Sequence, residues 1–201
     1  YDPHVWMDPV AWGSAVKVVS NRLQQIDPAH ATFYQQNSSI YLEKISKLHQ
    51  AALKTLHSIQ PESRVLVTAH DAFNYFGKRY GFEVVGIQGI STDSEAGIKD
   101  IGRIVDLLIE RKVKAVFVES TVSRRNIEAL VEGAQARGHT VTIGGQLFSD
   151  AMGKEGTYQG TYLGMIDHNV TTITRALGGK VDPAGLFGKS DGHSDQVEDK
   201  E

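Results

Sequence analysis

Cysteine is absent from the 201 residues, which removes disulfide frameworks, thiolate metal sites and cysteine nucleophiles together. A basic excess is absent too. With 21 Lys and Arg against 24 Asp and Glu, the formal net charge is −3, so there is no field for gripping phosphates and nucleic acid is excluded as a partner. No run approaches the ~18 to 20 apolar residues of a membrane span, and the start has neither a charged n-region nor an apolar h-region. An initiator methionine is also lacking: the chain opens at Tyr1 in the stretch YDPHVWMDP, which raises the expectation of a fragment. What is there is ordinary for a folded domain, with 40% hydrophobic and 22% charged residues, enough for a real core.

Apolar spacing predicts a helix from Val10 to Ile26, stopped by Asp27-Pro28 because the residue before proline avoids the helical region. A second, from Ala29 to Ser58, contains no proline or glycine. At ~1.5 Å per residue it would be about 45 Å long, a spacer or spine between bodies. From Arg64 the pattern becomes short β-branched runs alternating with helices. Strands are expected at Arg64–Ala69, Phe82–Ile87, Lys114–Glu119 and Thr140–Ile143, and helices at Asp71–Tyr80, Glu95–Lys112, Arg124–Arg137 and Tyr162–Leu177. Thr92 with Glu95 fits a capping box. This alternation predicts an α/β fold, a parallel sheet of about four strands covered by helices, preceded by the spine helix and a short N-terminal piece. The implied units are residues 1–28, the long helix 29–60, an α/β lobe 61–178, and a tail 179–201 whose Gly, Ser and Asp content predicts disorder.

Ligands of open parallel sheets bind beyond the carboxyl ends of the strands. His70 follows the first strand, Glu119 ends the third, and Asp150 lies in the glycine-rich loop 144–160 after the fourth. His4, in DPHVWMDP, precedes the long helix and is expected in another part of the molecule. Imidazole and carboxylate suit zinc or manganese, so His4, His70 and Asp150 form one candidate metal site. The plainer reading stands beside it: a histidine at a strand end can be a cap or a satisfied core residue, and an Asp in a glycine-rich loop can be turn chemistry. Glu119 is read first as support for a neighbouring histidine. The glycine-rich loop lacks GxxxxGK[ST], so it is not read as a phosphate cradle, and Ser149 has no nucleophile-elbow pattern. Trp6, Trp12 and Phe73 are read as packing residues, and His168 and His193 as solvent-facing.

Taken in order, the segments DPHVWMDP, VTAHDAFNYF, VVGIQGISTDSEAG, VFVESTV and LFSDAMGKEGTYQGTYLGMIDHN resemble the metal-binding receptors, or solute-binding proteins, of bacterial zinc and manganese ABC importers, over nearly all of residues 1–178. The resemblance implies two α/β lobes joined by a long helix, a metal held between them, and no catalysis. Motif by motif it places direct ligands at His4, His70 and Asp150, with a fourth, usually histidine, in the part of the first lobe that would precede this chain. It implies Zn²⁺ or Mn²⁺ as transported ligand, an ABC permease as partner, and a periplasmic or lipid-anchored location outside the cytoplasmic membrane. A competing reading is a metal-dependent hydrolase with the same three ligands and Glu119 as general base. If the chain is a fragment, His4 is expected to be loosely held and metal affinity reduced. Uncovered apolar surface on the first helix and the spine would then promote dimers or aggregates.

Overall fold

A computed structural model describes residues 1–90 and 97–188. The first helix, α1 (Pro9–Ile26), starts where the Asp8 carboxylate accepts the backbone N–H of Val10 and Ala11, with Pro9 in its first turn. After a single turn at Pro28–His30 the chain doubles back as α2 (Ala31–Leu56). The buried residues of α2, Ile45, Leu48, Ala52 and Leu56, all lie in its second half. Its first half packs on α1 and leaves Phe33 and Ile40 exposed, as Val18, Val19 and Ile26 are on α1.

Strands and helices then alternate: β1 (Val65–His70), α3 (Asn74–Tyr80), β2 (Glu83–Gln88), α4 (Ile98–Glu110), β3 (Ala115–Glu119), α5 (Arg125–Ala136), β4 (Thr142–Leu147) and α6 (Tyr162–Ala176). β1 and β3 are buried along their whole length, and their side chains divide by the two-residue period of a strand. Leu66, Ala115 and Phe117 join the core with α2, α3 and α6, whereas Val65, Val67, Val116 and Val118 join the core with α4 and α5. Helices therefore cover both faces, as parallel strands require.

The sheet differs in detail from expectation. β1 pairs in parallel with β2, and β3 with β4, as two hydrogen-bonded pairs rather than one four-stranded ladder. β1 lies beside β3, but at their carboxyl ends a side chain replaces the ladder: the His70 N–H donates to Oε1 of Glu119 at 2.9 Å. β4 also runs four residues beyond Ile143, into what reads as a glycine-rich loop. Its pairing with β3 shifts register between Val116 and Phe117, which are partnered by Ile143 and Gly145. Gly145 has φ +146°, a conformation that favours glycine. Glycines that supply this irregularity are what disguise the strand in the sequence.

At the start of α4 the Gly97 N–H meets Asp100 Oδ2 at 3.3 Å, and the Thr92–Glu95 box lies outside the described residues. The tail reading changes for its first part only, since residues 189–201 lie outside the described residues. Residues 179–188 are held against α6, because Asp167 accepts the Leu186 N–H at 2.8 Å and Arg175 donates to the Pro183 carbonyl at 3.1 Å. His168 is half-buried, 2.8 Å from the Gln146 carbonyl and packed on Phe148, not solvent-facing; His193 lies outside the described residues.

Candidate metal centre

His70 ends β1, where the chain must turn sharply. The turn is tight because Gly86 of the neighbouring strand presses on it: a Cβ there would lie 2.6 Å from Asp71 N and 2.7 Å from the His70 carbonyl carbon. The Asp71 carboxylate in turn accepts the Gly86 N–H at 3.1 Å. Gly86→Ala is therefore expected to displace the backbone at His70. The expected outcome is a loss of about 1–3 kcal/mol in urea unfolding, typical of overpacking, together with weaker zinc binding by titration.

His4 sits beside His70 and not in a separate part of the molecule. It is 3% exposed, and the two ring centroids are 5.3 Å apart. The residues around it explain why it is held. Asp2-Pro3-His4 forms an Asx turn in which Asp2 Oδ1 accepts the His4 backbone N–H at 2.9 Å. Asn74 of α3 reaches Asp2 Oδ2 at 3.2 Å. Arg79 of α3 grips Asp8 with two bonds, Nε to Oδ1 at 2.8 Å and Nη2 to Oδ2 at 2.7 Å. Trp6 donates its indole N–H to the Ser149 carbonyl at 2.9 Å, and Tyr162 donates to the Trp6 carbonyl at 2.8 Å. The expectation of a loosely held His4 is thus corrected.

Asp150 lies just past β4, and the loop is pinned from α6. The buried Asn169 accepts the Phe148 N–H at 2.9 Å and donates to the Phe148 carbonyl at 2.7 Å. The Ser149 hydroxyl lies 3.3 Å from that of Thr121. Asp150 then faces both imidazoles, with Oδ1 3.3 Å from His4 Nε2 and Oδ2 3.4 Å from His70 Nε2. One ligand atom from each of the three residues falls within 4.8 Å of the others. In a tetrahedral site with bonds of about 2.0–2.2 Å, donor atoms stand roughly 3.3–3.6 Å apart, so the two contacts to Asp150 have the spacing of donors around one ion.

Behind each ring sits a carboxylate. His4 Nδ1 is 2.7 Å from Asp2 Oδ1, and His70 Nδ1 is 2.7 Å from Glu119 Oε2, although off the line of a straight hydrogen bond. His70 Nε2 is buried without a hydrogen-bond partner, the state of an atom built to accept something else. Burial works against charge on the His70 ring, but Glu119, Asp150 and Asp71 outweigh it and hold its pKa above the usual imidazole value. For Asp2, burial is likewise outweighed, by the His4 N–H, the His4 ring and the Asn74 amide, which keep its carboxyl below the usual range.

Glu119 is buried and engaged with His70 through both oxygens, on the side of the ring away from Nε2. That places it behind the ring as support for His70, and not beside Nε2 as the hydrolase reading requires. Phe73 is fully buried in the core, while Trp6 and Trp12 line a cleft of about 740 Å³ with Val16, Tyr41, Tyr162 and Met165, next to Asp150. Sequence reasoning missed Asp2 and Asn169. The Asp-Pro-His string carried a signal for the first, since an Asx turn places Asp over the backbone two residues on; nothing local marked the second.

Two imidazoles and a carboxylate converge at the carboxyl edge of parallel strands in an α/β fold, each backed or pinned by polar groups, and this donor set is of the kind that suits a divalent ion. The chain belongs to the family of the zinc-uptake complex component A, periplasmic, whose profile matches residues 1–176. It is 52% identical over 177 residues to the manganese-binding lipoprotein MntA of Bacillus subtilis and 47% identical over 177 residues to the zinc-binding protein TroA of Treponema pallidum. Each alignment covers 88% of this chain and 58% of the relative, so the chain spans little more than half the length of either. The solved structure of the Treponema pallidum periplasmic zinc binding protein TroA superposes with a TM-score of 0.85, covering 88% of this chain and 64% of that one.

Proposed function

We propose that His4, His70 and Asp150 bind a divalent transition ion, zinc or manganese, as cargo rather than as a catalyst. The protein captures the ion outside the cytoplasmic membrane, in the periplasm or as a lipoprotein on the membrane's outer face, and delivers it to the permease of an ABC importer. The observation that carries the reading is the convergence of two buried Nε2 atoms on one carboxylate at 3.3 and 3.4 Å. The family's uptake role and the manganese and zinc in the relatives' names supply the transport setting. Cargo is favoured over catalysis because Glu119, the carboxylate nearest His70 Nδ1, is turned away from the ion's position.

The test is a titration of the chain with zinc and with manganese, followed through the fluorescence of Trp6, whose ring lies 5.3 Å from that of His4. One ion per chain is expected, with zinc bound more tightly than manganese because N and O donors follow the Irving–Williams order. Elemental analysis of the protein after dialysis checks the stoichiometry. Absence of a stoichiometric ion would overturn the reading.

A further inference from the structure

We propose that Asp2, itself held by Asn74, is the positioning residue that fixes His4 in the Nδ1–H tautomer and so leaves Nε2 as its metal-binding atom. The inference rests on the reading of His4 as a ligand. An ionised carboxylate is only an acceptor, so a ring nitrogen hydrogen-bonded to it must carry the proton. Asp2 Oδ1 is 2.7 Å from Nδ1 and also accepts the backbone N–H of the same residue. Ring and backbone of His4 are thereby fixed by one oxygen. Its second oxygen is not idle: Asn74 Nδ2 reaches it at 3.2 Å while standing 3.3 Å from the Asp71 carbonyl, and the Tyr75 hydroxyl meets the Asp2 carbonyl at 3.5 Å.

These bonds join two segments that are far apart in the chain. Asn74 lies four residues after His70, on the turn and helix start that carry His70 away from the sheet. The element that places one imidazole therefore also holds the carboxylate that aims the other. Glu119 stands behind His70 from β3 and within the core, 2.7 Å from Nδ1, but without the straight hydrogen bond that Asp2 makes to His4. Asp2 works from the chain's outer edge, and Asn74 is what fixes it to the body.

The test compares Asp2→Ala, Asp2→Asn and Asn74→Ala with the parent chain. The histidine ring tautomers are read by ¹⁵N-edited NMR in the metal-free protein at about pH 8, where a free imidazole is neutral. Zinc affinity is read by competition with a chromophoric chelator. Asp2→Ala is expected to give a mixed His4 tautomer and about 10- to 100-fold weaker zinc binding, the range for losing an outer partner of a ligating histidine. Asp2→Asn keeps an acceptor oxygen and should retain the tautomer with a smaller loss. Asn74→Ala, which touches neither histidine ring, should fall between the two.

An unchanged tautomer in Asp2→Ala would overturn the proposal, whether or not affinity falls, and so would equal affinity losses in Asp2→Ala and Asp2→Asn. Should Asp2→Ala fail to fold by thermal melting, the other two variants decide the matter: a tautomer mixed in Asn74→Ala and retained in Asp2→Asn supports it, and any other pattern overturns it. If His4→Ala binds zinc as the parent does, the metal reading fails by itself. The tautomer measurement, made without metal, judges the positioning of His4 separately.

Discussion

Replacing Asp150 with alanine is expected to abolish the thermal stabilisation that zinc confers, while leaving the metal-free melting temperature close to that of the parent. The separation follows from exposure. The Asp150 side chain is 38% exposed and faces the two imidazoles across the site, so its removal leaves no core cavity. In the parent, an ion bound only to the folded state adds about 2.7 kcal/mol at 100 times its dissociation constant. Losing one of three ligands should weaken binding by more than the about 10- to 100-fold that loss of an outer partner brings. His70→Ala should abolish binding as well, but with a lower metal-free melting temperature, because the buried Glu119 carboxylate keeps the backbone N–H of residue 70 and loses the imidazole beside its second oxygen. Differential scanning fluorimetry with and without zinc checks both. A zinc-induced shift surviving in Asp150→Ala would remove that residue from the site.

Asn169→Leu is the second substitution expected to have a large effect, although Asn169 is not itself proposed to touch the ion. Its amide satisfies both backbone groups of the half-buried Phe148 from α6, at 2.9 and 2.7 Å, and Asn169 itself is fully buried. Leucine is similar in size and offers nothing in return. A buried backbone group left unpaired costs about 1–3 kcal/mol and a half-buried one less, so a loss of roughly 1–3 kcal/mol in denaturant unfolding is expected. The same change frees the loop that carries Ser149 and Asp150, and zinc affinity should fall with it. Asn169→Asp keeps only the acceptor and should sit between parent and leucine in both measurements. An affinity unchanged in Asn169→Leu at folded concentrations would show that the loop is held by Trp6 and Thr121 alone.

Features that repeat along the chain could be read from the sequence. Helical periodicity placed α1, α2 and α6 to within a few residues, and β-branched runs placed β1, β2 and β3, because each burial pattern repeats every 3.6 or every two residues. The sheet-edge rule then singled out His70, Glu119 and Asp150 by position alone. What escaped depends on pairs of residues distant in sequence. Asn169 acts on a residue 21 positions away and Asn74 on one 72 positions away; neither bond leaves a trace in local composition. The end of β4 escaped for a different reason, since Gly144 and Gly145 carry no side chain to show a strand's alternation. Proximity of His4 to His70 was hidden because α1 and α2 run out and back as a hairpin, bringing the chain home after some sixty residues.

The three candidate donors are unequally reachable, and this orders the traffic of an ion. Both nitrogens are sealed, with side-chain exposures of 4% for His4 and 1% for His70, while the carboxylate opens toward the cleft lined by Trp6 and Trp12. An ion arriving at the proposed site would therefore meet the carboxylate first, exchanging part of its water for Asp150 before it reached either ring. If so, a competing chelator should speed release from the parent chain, by taking the ion over at the carboxylate, more than dilution alone does.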